Sequence, residues 1–418
     1  MPASFTVVVP EYSMRFRCIG AGCEDDCCHG WAVPIDQPAL TKYRTLPPGA
    51  LRSQLDACLP ATEPADAPPS AQAASIRMLP SGACPFLTQE RLCRIHQELG
   101  PSWLSQTCAQ FPRRIHRVDG IPQVTLALSC PEAARLVLLD PALLASPVRR
   151  HTVRWNPPAQ GISLQGLPSL RAFYWPIREF VTGIILERGY ALWQRLFLLG
   201  IFCQRLDAIA RGQDQRAFPD FLRDFTAVLA SGSLRAPMAA IPGNPALQLQ
   251  LVSQLLCLGV RQIREGSSLA ACLSAFTTGI GSGEDTPRER QVAAWTAAYA
   301  ATFEPFFHDH PWILENYLSN ELLASAFPFG DALFHPHMPL ACMESFAQLA
   351  VRFGILQGLL IGVAAARGSA FSTGDVVQTV AAVSRQLEHS RSFPQRSSAF
   401  LRENHLTGIA GLTALLRN

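Results

Sequence analysis

At 418 residues and 45.6 kDa the chain can bury a large core and has room for two or three domains. Its 48% hydrophobic and 16% charged content excludes a disordered chain. A net charge of +3, with no dense basic run or aromatic-basic ladder, gives no reason to expect nucleic acid as a partner.

Met1 to Pro10 has no positive n-region and is too short for a secretory signal core. Within it, Phe5 to Val9 reads as a short strand before Pro10. The first dense motif follows: Cys18, Cys23, Cys27 and Cys28, four of the 13 cysteines within eleven residues, with glycines at 20, 22 and 30 that let the backbone bend around one centre. Residues 47–80, rich in Pro, Ala and Ser, read as an exposed loop separating this group from Cys84, Cys93, Cys108 and Cys130. Arg94 to Gly100 reads as a short helix closed by glycine, and Glu132 to Leu139 as another.

After about residue 150 the character changes, so two domains are expected, 1–150 and 151–418. Pro157 to Leu167 reads as loop. Apolar residues then recur at helical spacing over Ile177 to Ile209, with a break near Gly189. Further helices are expected over residues 219–230, 245–264, 267–276, 288–301, 312–326, 340–358 and 375–389. No strand-helix alternation and no internal repeat is evident. The fold class is therefore mainly α, a cysteine-rich metal-binding N-terminal module on an α-helical array. The longest apolar run, Phe353 to Ala366, contains Gln357 and three glycines and falls short of the roughly 20 residues needed to span a bilayer. The expected compartment is the cytoplasm, with no membrane partner. Thiols stay reduced there, so the cysteine cluster argues for a metal over disulfides.

Spacing bears on which metal. No Cys-x2-Cys pair is present, which weakens a zinc ribbon, whereas an iron-sulfur cluster tolerates irregular spacing and needs three or four thiolates. Adjacent Cys27 and Cys28 could lie on opposite sides of the backbone, one toward the cluster and one toward the core. Cys203, Cys257, Cys272 and Cys342 read as small core residues and Cys58 as a free thiol. Gly279 to Gly283 reads as a helix stop and a loop, and His29, beside the thiols, as the histidine placed either to ligate the metal or to hydrogen-bond a ligand sulfur.

The sequence Cys18-x4-Cys23-x3-Cys27-Cys28-His-Gly-Trp, followed by Cys84-Pro-Phe-Leu, Arg91-Leu-Cys93-Arg-Ile, Thr107-Cys108-Ala-Gln-Phe-Pro-Arg113 and Ser129-Cys130-Pro-Glu132, resembles the flagellin lysine-N-methylase (FliB-like) family, part of a broader cysteine-rich iron- or zinc-chelating group. The resemblance covers about residues 10–135. Glu315-Asn316-Tyr317-Leu318 and Phe327-Pro328-Phe329-Gly330 are similar to the same family's C-terminal region. What it implies is methyl transfer from S-adenosylmethionine to lysine side chains of flagellin, with a [4Fe-4S] cluster held among the eight N-terminal cysteines.

No radical signature Cys-x3-Cys-x2-Cys is present, because the third position falls on Gly30, and methylation of an amine needs no radical. On a polar mechanism, a cluster with three cysteine ligands leaves one iron open for the amino and carboxylate groups of S-adenosylmethionine. Glu24, Asp25 and Asp26 are then the candidates to deprotonate or orient the lysine, Trp31, Tyr43 or Tyr317 offer aromatic faces to stabilise the cation, with Tyr317 counted among the catalytic candidates, and Trp31 and Asn316 are the candidates to line the cofactor pocket. The alternative is a zinc- or cluster-stabilised binding protein without catalysis. Lys42 is the only lysine; GC-rich coding bias accounts for that, although it would also spare a lysine methylase from modifying itself.

Overall fold

The computed structural model describes residues 5–31, 33–59, 72–145, 148–153, 161–167, 170–212, 218–260, 263–283, 286–388, 390 and 392–418. The chain forms two compact units: Met1–Arg117 with Ile121–Leu136 and Ser146–Gly161, and Val118–Gly120 with Val137–Ala145 and Ile162–Asn418. It is mainly helical, as expected.

In the first unit, β1 (Phe5–Pro10) pairs antiparallel with β6 (Val148–Val153), Phe5 opposite Val153 and Pro10 opposite Val148. After α1 (Glu11–Arg15), β2 (Pro34–Asp36) pairs antiparallel with β3 (Gln72–Ser75). Between them stand α2 (Gln37–Arg44) and α3 (Ala50–Cys58), and after them α4 (Arg94–Leu99) and α5 (Gln106–Gln110). β4 (Arg113–Val118) and β5 (Ile121–Leu126) are joined at Asp119 and Gly120, both at positive φ, before α6 (Pro131–Leu138). β7 is Gly161–Ile162.

Residues 47–80 are not simply a loop. Leu51 and Leu55, four apart, form a stripe that buries one face of α3, and Ala74 on β3 is fully buried. Reading composition hid this, because Pro, Ala and Ser dominate around a short apolar repeat. Residues 60–71, which hold the two most Pro-rich tracts, lie outside the described residues. α2 begins on the Asp36 carboxylate, which accepts the Ala39 N–H at 3.0 Å, and buries Leu40 and Tyr43. On its exposed side Lys42 Nζ donates to the Ser102 carbonyl at 2.8 Å. α4 ends at Gly100, φ +86, as its sequence demands.

The second unit runs through α7 (Tyr174–Leu186), α8 (Leu192–Ala210), α9 (Phe218–Ser231), α10 (Arg235–Ala239), α11 (Pro245–Gly259), α12 (Ser268–Gly279), α13 (Arg288–Ala298), α14 (Glu304–Asp309) and α15 (Trp312–Ala324). It continues with α16 (Cys342–Arg367), α17 (Thr373–Glu388), α18 (Phe393–Glu403) and α19 (Ile409–Leu416). The break near Gly189 is real. Three boundaries differ from expectation. α11 stops at Gly259, five residues early, because Val260 turns extended. α13 passes through a π-turn at Tyr299–Phe303, and α16 runs nine residues beyond Gly358.

α16 is the axis of this unit, packed by α8, α11, α12, α13, α17, α18 and α19. Its three glycines, which made the run look broken, are where neighbours come closest: Gly354 against Leu415, Gly358 against Val252 and Trp295, Gly362 against Phe276. The apolar stretch is therefore longer than read from sequence. Cys342–Ala370 is long and apolar enough by length and composition to cross a membrane, yet 83% of its most apolar window is buried by the helices around it.

Gly279 is indeed a helix stop, and also a contact: a Cβ there would meet the Gly362 carbonyl oxygen and stand 2.8 Å from the Ala365 methyl. Backbone cannot yield as a side chain can, so Gly279→Ala is expected to destabilise the unit by about 1–3 kcal/mol. A urea unfolding midpoint unchanged from the parent would contradict that packing.

Candidate functional site

The cysteines are brought together by backbone, not by one loop. The Cys84 N–H donates to the Cys28 carbonyl at 2.7 Å and the Gly30 N–H to the Gly82 carbonyl at 3.0 Å, which staples the first motif to the Cys84 turn. Cys93 pairs across a bridge with Leu87, and the Arg94 N–H donates to the Phe86 carbonyl at 2.8 Å. Asp36 Oδ2 accepts the Gln106 N–H at 2.6 Å and fixes the start of α5, which carries Cys108. Cys28, Cys84, Cys93 and Cys108 thus surround one apolar cluster built from Ile35, Tyr43, Leu55, Phe86 and Ile95.

The sulfurs interact. Cys28 is held as a protonated thiol by hydrogen bonding with Cys27, then with Cys84, and by burial. Cys84 is pushed the other way, mainly by its hydrogen bond from Cys28. Burial pushes Cys108 up to about 12, with a further contribution from Cys93, and it raises Cys93, where Cys84 and Cys27 add to the effect. Cys27, Cys28, Cys84, Cys93 and Cys108 therefore share one electrostatic neighbourhood. Cys130, raised by burial to about 12, answers chiefly to Cys23, and Cys23, raised by burial, lies near Cys18. The four cysteines of the first motif are consequently divided: Cys27 and Cys28 join the downstream set, while Cys18 and Cys23 sit toward Cys130. Cys28 packs against the core while Cys27 is exposed, as the adjacent pair allowed, and the two side chains still interact.

A second regularity is the direction of backbone N–H groups. The Gly20 N–H donates to Cys18 Sγ at 3.4 Å. The N–H of Asp25 faces Cys23, that of Phe86 faces Cys84, those of His96 and Ile95 face Cys93, and those of Ala133 and Glu132 face Cys130. Those on Cys23, Cys84, Cys93 and Cys130 oppose the upward push of burial on each thiol. In number the donor set is sufficient for a thiolate-bound centre: Cys27, Cys28, Cys84, Cys93 and Cys108 exceed the three or four thiolates that a four-iron cluster requires. As the side chains stand, no three His, Cys, Asp or Glu groups among the described residues are set around one ion.

The acids between the cysteines each have a structural partner. Glu24 pairs with Arg135, which also pairs with Glu132. Asp25, 9% exposed, accepts the Asp26 N–H at 2.9 Å. Asp26 Oδ1 accepts the Cys28 N–H at 3.0 Å and bonds His29 Nδ1 at 2.6 Å. His29 thus bonds a carboxylate through Nδ1. Trp31 donates its indole N–H to the Cys27 carbonyl at 2.9 Å and its ring lies 6.1 Å from that of Phe111.

Asn316 and Tyr317 lie inside the second unit. Asn316 Nδ2 donates to the carbonyls of Val137 and Asp140 at 3.0 and 2.8 Å, and the Tyr317 ring packs 6.3 Å from Phe353. Their neighbour Glu315, 2% exposed, is gripped by Arg195 Nη1 and Arg188 Nη2, each at 2.7 Å. Two surface cavities occur in this unit, about 530 Å³ beside Asp119 and Trp175 and about 770 Å³ beside Arg288 and Val292, and neither is lined by a cysteine. Sequence reading missed Ser105, whose hydroxyl accepts the Cys108 N–H at 3.3 Å; Ser-x-x-Cys ahead of a helical run was the available signal.

A cysteine-rich unit and a helical unit, with no strand-helix alternation in the second among the described residues, define a mainly helical protein unlike a Rossmann-type transferase. Residues 178–415, all within the second unit, match the model of the FliB lysine N-methylase C-terminal domain. The chain belongs to the FliB lysine N-methylase family. It is 34% identical over 142 residues to a lysine-N-methylase of Salmonella typhimurium, a stretch covering 34% of each chain, and to the same degree to that of Salmonella choleraesuis. It is 33% identical over 142 residues to the flagellar biosynthetic protein FliU of Salmonella muenchen, covering 34% of this chain and 81% of that protein. The alignment thus spans about a third of the length of the curated lysine-N-methylases it matches. No solved structure matches.

Proposed function

We propose that this protein is a cytoplasmic methyltransferase that moves the methyl group of S-adenosylmethionine to lysine side chains of flagellin, with a [4Fe-4S] cluster in the first unit. The observation that carries the reading is the gathering of Cys28, Cys84, Cys93 and Cys108 around one core, with Cys27 hydrogen-bonded to Cys28, in a chain whose family is named for lysine N-methylation. These five are the residues that would hold the cluster, with Cys18, Cys23 and Cys130 as the adjoining set. When bound, such a cluster supplies a Lewis-acidic, redox-capable centre.

The chain's own part is to take a proton and orient the acceptor. In methyl transfer the sulfonium carbon-sulfur bond breaks as the amine lone pair forms the new carbon-nitrogen bond, and S-adenosylhomocysteine leaves as a neutral thioether. The lysine, with a reference pKa of about 10.4, must first lose its proton. Asp26 and His29, bonded at 2.6 Å and 9% and 16% exposed, are the pair beside the thiols suited to accept it. Glu24 is committed to Arg135, and Trp31 braces the Cys27 backbone.

The test is anaerobic purification with iron, sulfide and zinc quantification, a visible spectrum before and after S-adenosylmethionine, and mass spectrometry of flagellin incubated with the protein. About four iron and four sulfide per chain, a spectrum changed by the methyl donor, and flagellin lysines heavier by methyl increments are expected. Zinc without sulfide, with flagellin unmodified, would instead identify a metal-stabilised binding protein.

A further inference from the structure

In the second unit the turn between β4 and β5 presents a carboxylate that is held in place without a countercharge. Asp119 and Gly120 stand at φ +50° and +76°, the conformation a two-residue hairpin turn requires. The Asp119 N–H donates to the Ile162 carbonyl at 2.8 Å. Its Oδ1 accepts the Leu164 N–H at 2.7 Å, and its Oδ2 accepts the indole Nε1–H of Trp175 at 2.8 Å. Among the described residues Asp119 makes no ion pair. Other exposed carboxylates of this unit do pair, Asp220 and Asp224 both with Arg223.

The turn alone does not call for a charge. Asn is accepted at positive φ as readily as Asp, and its side-chain oxygen would accept the Leu164 N–H as well. The carboxylate lines the cavity of about 530 Å³, together with Ser163, Leu164, Gln165, Ala172 and Trp175. A carboxylate offers about four acceptor positions, and the Leu164 and Trp175 N–H groups fill two. The lining thus combines an anion without a partner cation, two uncharged polar side chains, and the apolar surface of Ala172 and the indole. That combination fits a cation carried on an aliphatic stem. An ammonium brings three donors, enough for the open carboxylate positions and for Ser163 or Gln165. A guanidinium would also seek the flat face of the indole, and Arg178 already lies over that ring, 5.3 Å from its centre.

We propose that this cavity binds the side-chain ammonium of a lysine presented by a protein partner, with Asp119 as its countercharge. No cysteine lines the cavity, so the binding does not depend on the thiol unit or on the methyl-transfer reading. A lysine held here is a docking contact, and methylation of that residue forms no part of the proposal.

The indole N–H resonance of Trp175, in the nitrogen-15-labelled full chain and assigned by its loss in Trp175→Phe, reports on the cavity directly. Three probes are titrated: Nα-acetyl-lysine amide, Nα-acetyl-norleucine amide, which keeps the stem and lacks the amine, and Nα-acetyl-arginine amide. The lysine probe is expected to shift the resonance to saturation with a Kd of about 1 mM, and the other two to bind at least about tenfold more weakly. Asp119→Asn should weaken the lysine probe about tenfold or more while keeping the parent's Tm, because the turn and the Leu164 bond survive. Ala172→Leu, which fills the cavity and leaves the bonds of Asp119 alone, should weaken it as well. Equal binding of the norleucine probe would overturn the proposal in favour of an apolar cleft, and equal binding of the arginine probe would overturn the choice of lysine. Parent-like affinity in Asp119→Asn, or no shift with any probe, refutes the site. None of these outcomes bears on methyl transfer, which the iron, sulfide and flagellin measurements decide separately.

Discussion

Glu315→Ala is expected to lower the melting temperature of the second unit by about 10 °C, the largest effect of any single substitution outside the cysteines. The reason is asymmetric. Arg188 is 57% exposed, so losing its partner returns it to water at little cost. Arg195 is 8% exposed and also donates to the carbonyls of Tyr190 and Ile185, at 2.8 and 2.6 Å, which pin it in place. Removing the carboxylate leaves that cation buried, a loss of about 3–5 kcal/mol, and about 2–4 °C follows from each kcal/mol in a unit of this size. Glu315→Leu combined with Arg195→Met should regain most of the loss, since apolar replacements remove the unpaired charge as well as the pair. A melting temperature for Glu315→Ala within a degree of the parent would mean that the pair does not anchor α8 to α15.

The second large effect is expected in the thiol set. On the proposed cluster, Cys28→Ser and Cys84→Ser should lose most of the iron and sulfide, because these two sulfurs bond each other and are the best connected of the five. Cys27→Ser should follow, since its sulfur bonds Cys28. Cys257→Ser, at an exposed thiol on α11, serves as the comparison and should retain the parent's content. Full iron in Cys28→Ser and Cys84→Ser would sink the ligand assignment. Loss in Cys18→Ser and Cys23→Ser alone would move the centre to the neighbourhood of Cys130.

Much of the helical unit was legible because its signal is local. The periodicity of residues 177–209, the stop at Gly279 and the cap at Gly100 each depend on a few neighbouring residues. What escaped notice depends on partners far along the chain. The apolar stripe of α3 is meaningful only against the core it meets, and the glycines of α16 look like breaks until Val252, Phe276 and Leu415 are seen filling the space beside them. The same holds at the thiols. Spacing suggested a cage made by Cys18, Cys23, Cys27 and Cys28, but the Cys84 N–H bond to the Cys28 carbonyl redirects two of them toward residues more than fifty positions away. Glu315, Asn316 and Tyr317 form one recognisable motif, yet their three side chains point to three different tasks, a division that only the burial of α15 on every side makes possible.

Lys42, tied through its ammonium to the Ser102 carbonyl, is the chain's only side-chain amine. In an assay that follows isotopic methyl groups into protein, this chain itself offers one side-chain acceptor, and that one is hydrogen-bonded. Radioactivity in the band of an added protein can therefore be read against a chain with a single lysine. Amine-directed crosslinkers or fluorophores will likewise meet one side chain, on α2, besides the terminal α-amine, and leave the arginines untouched.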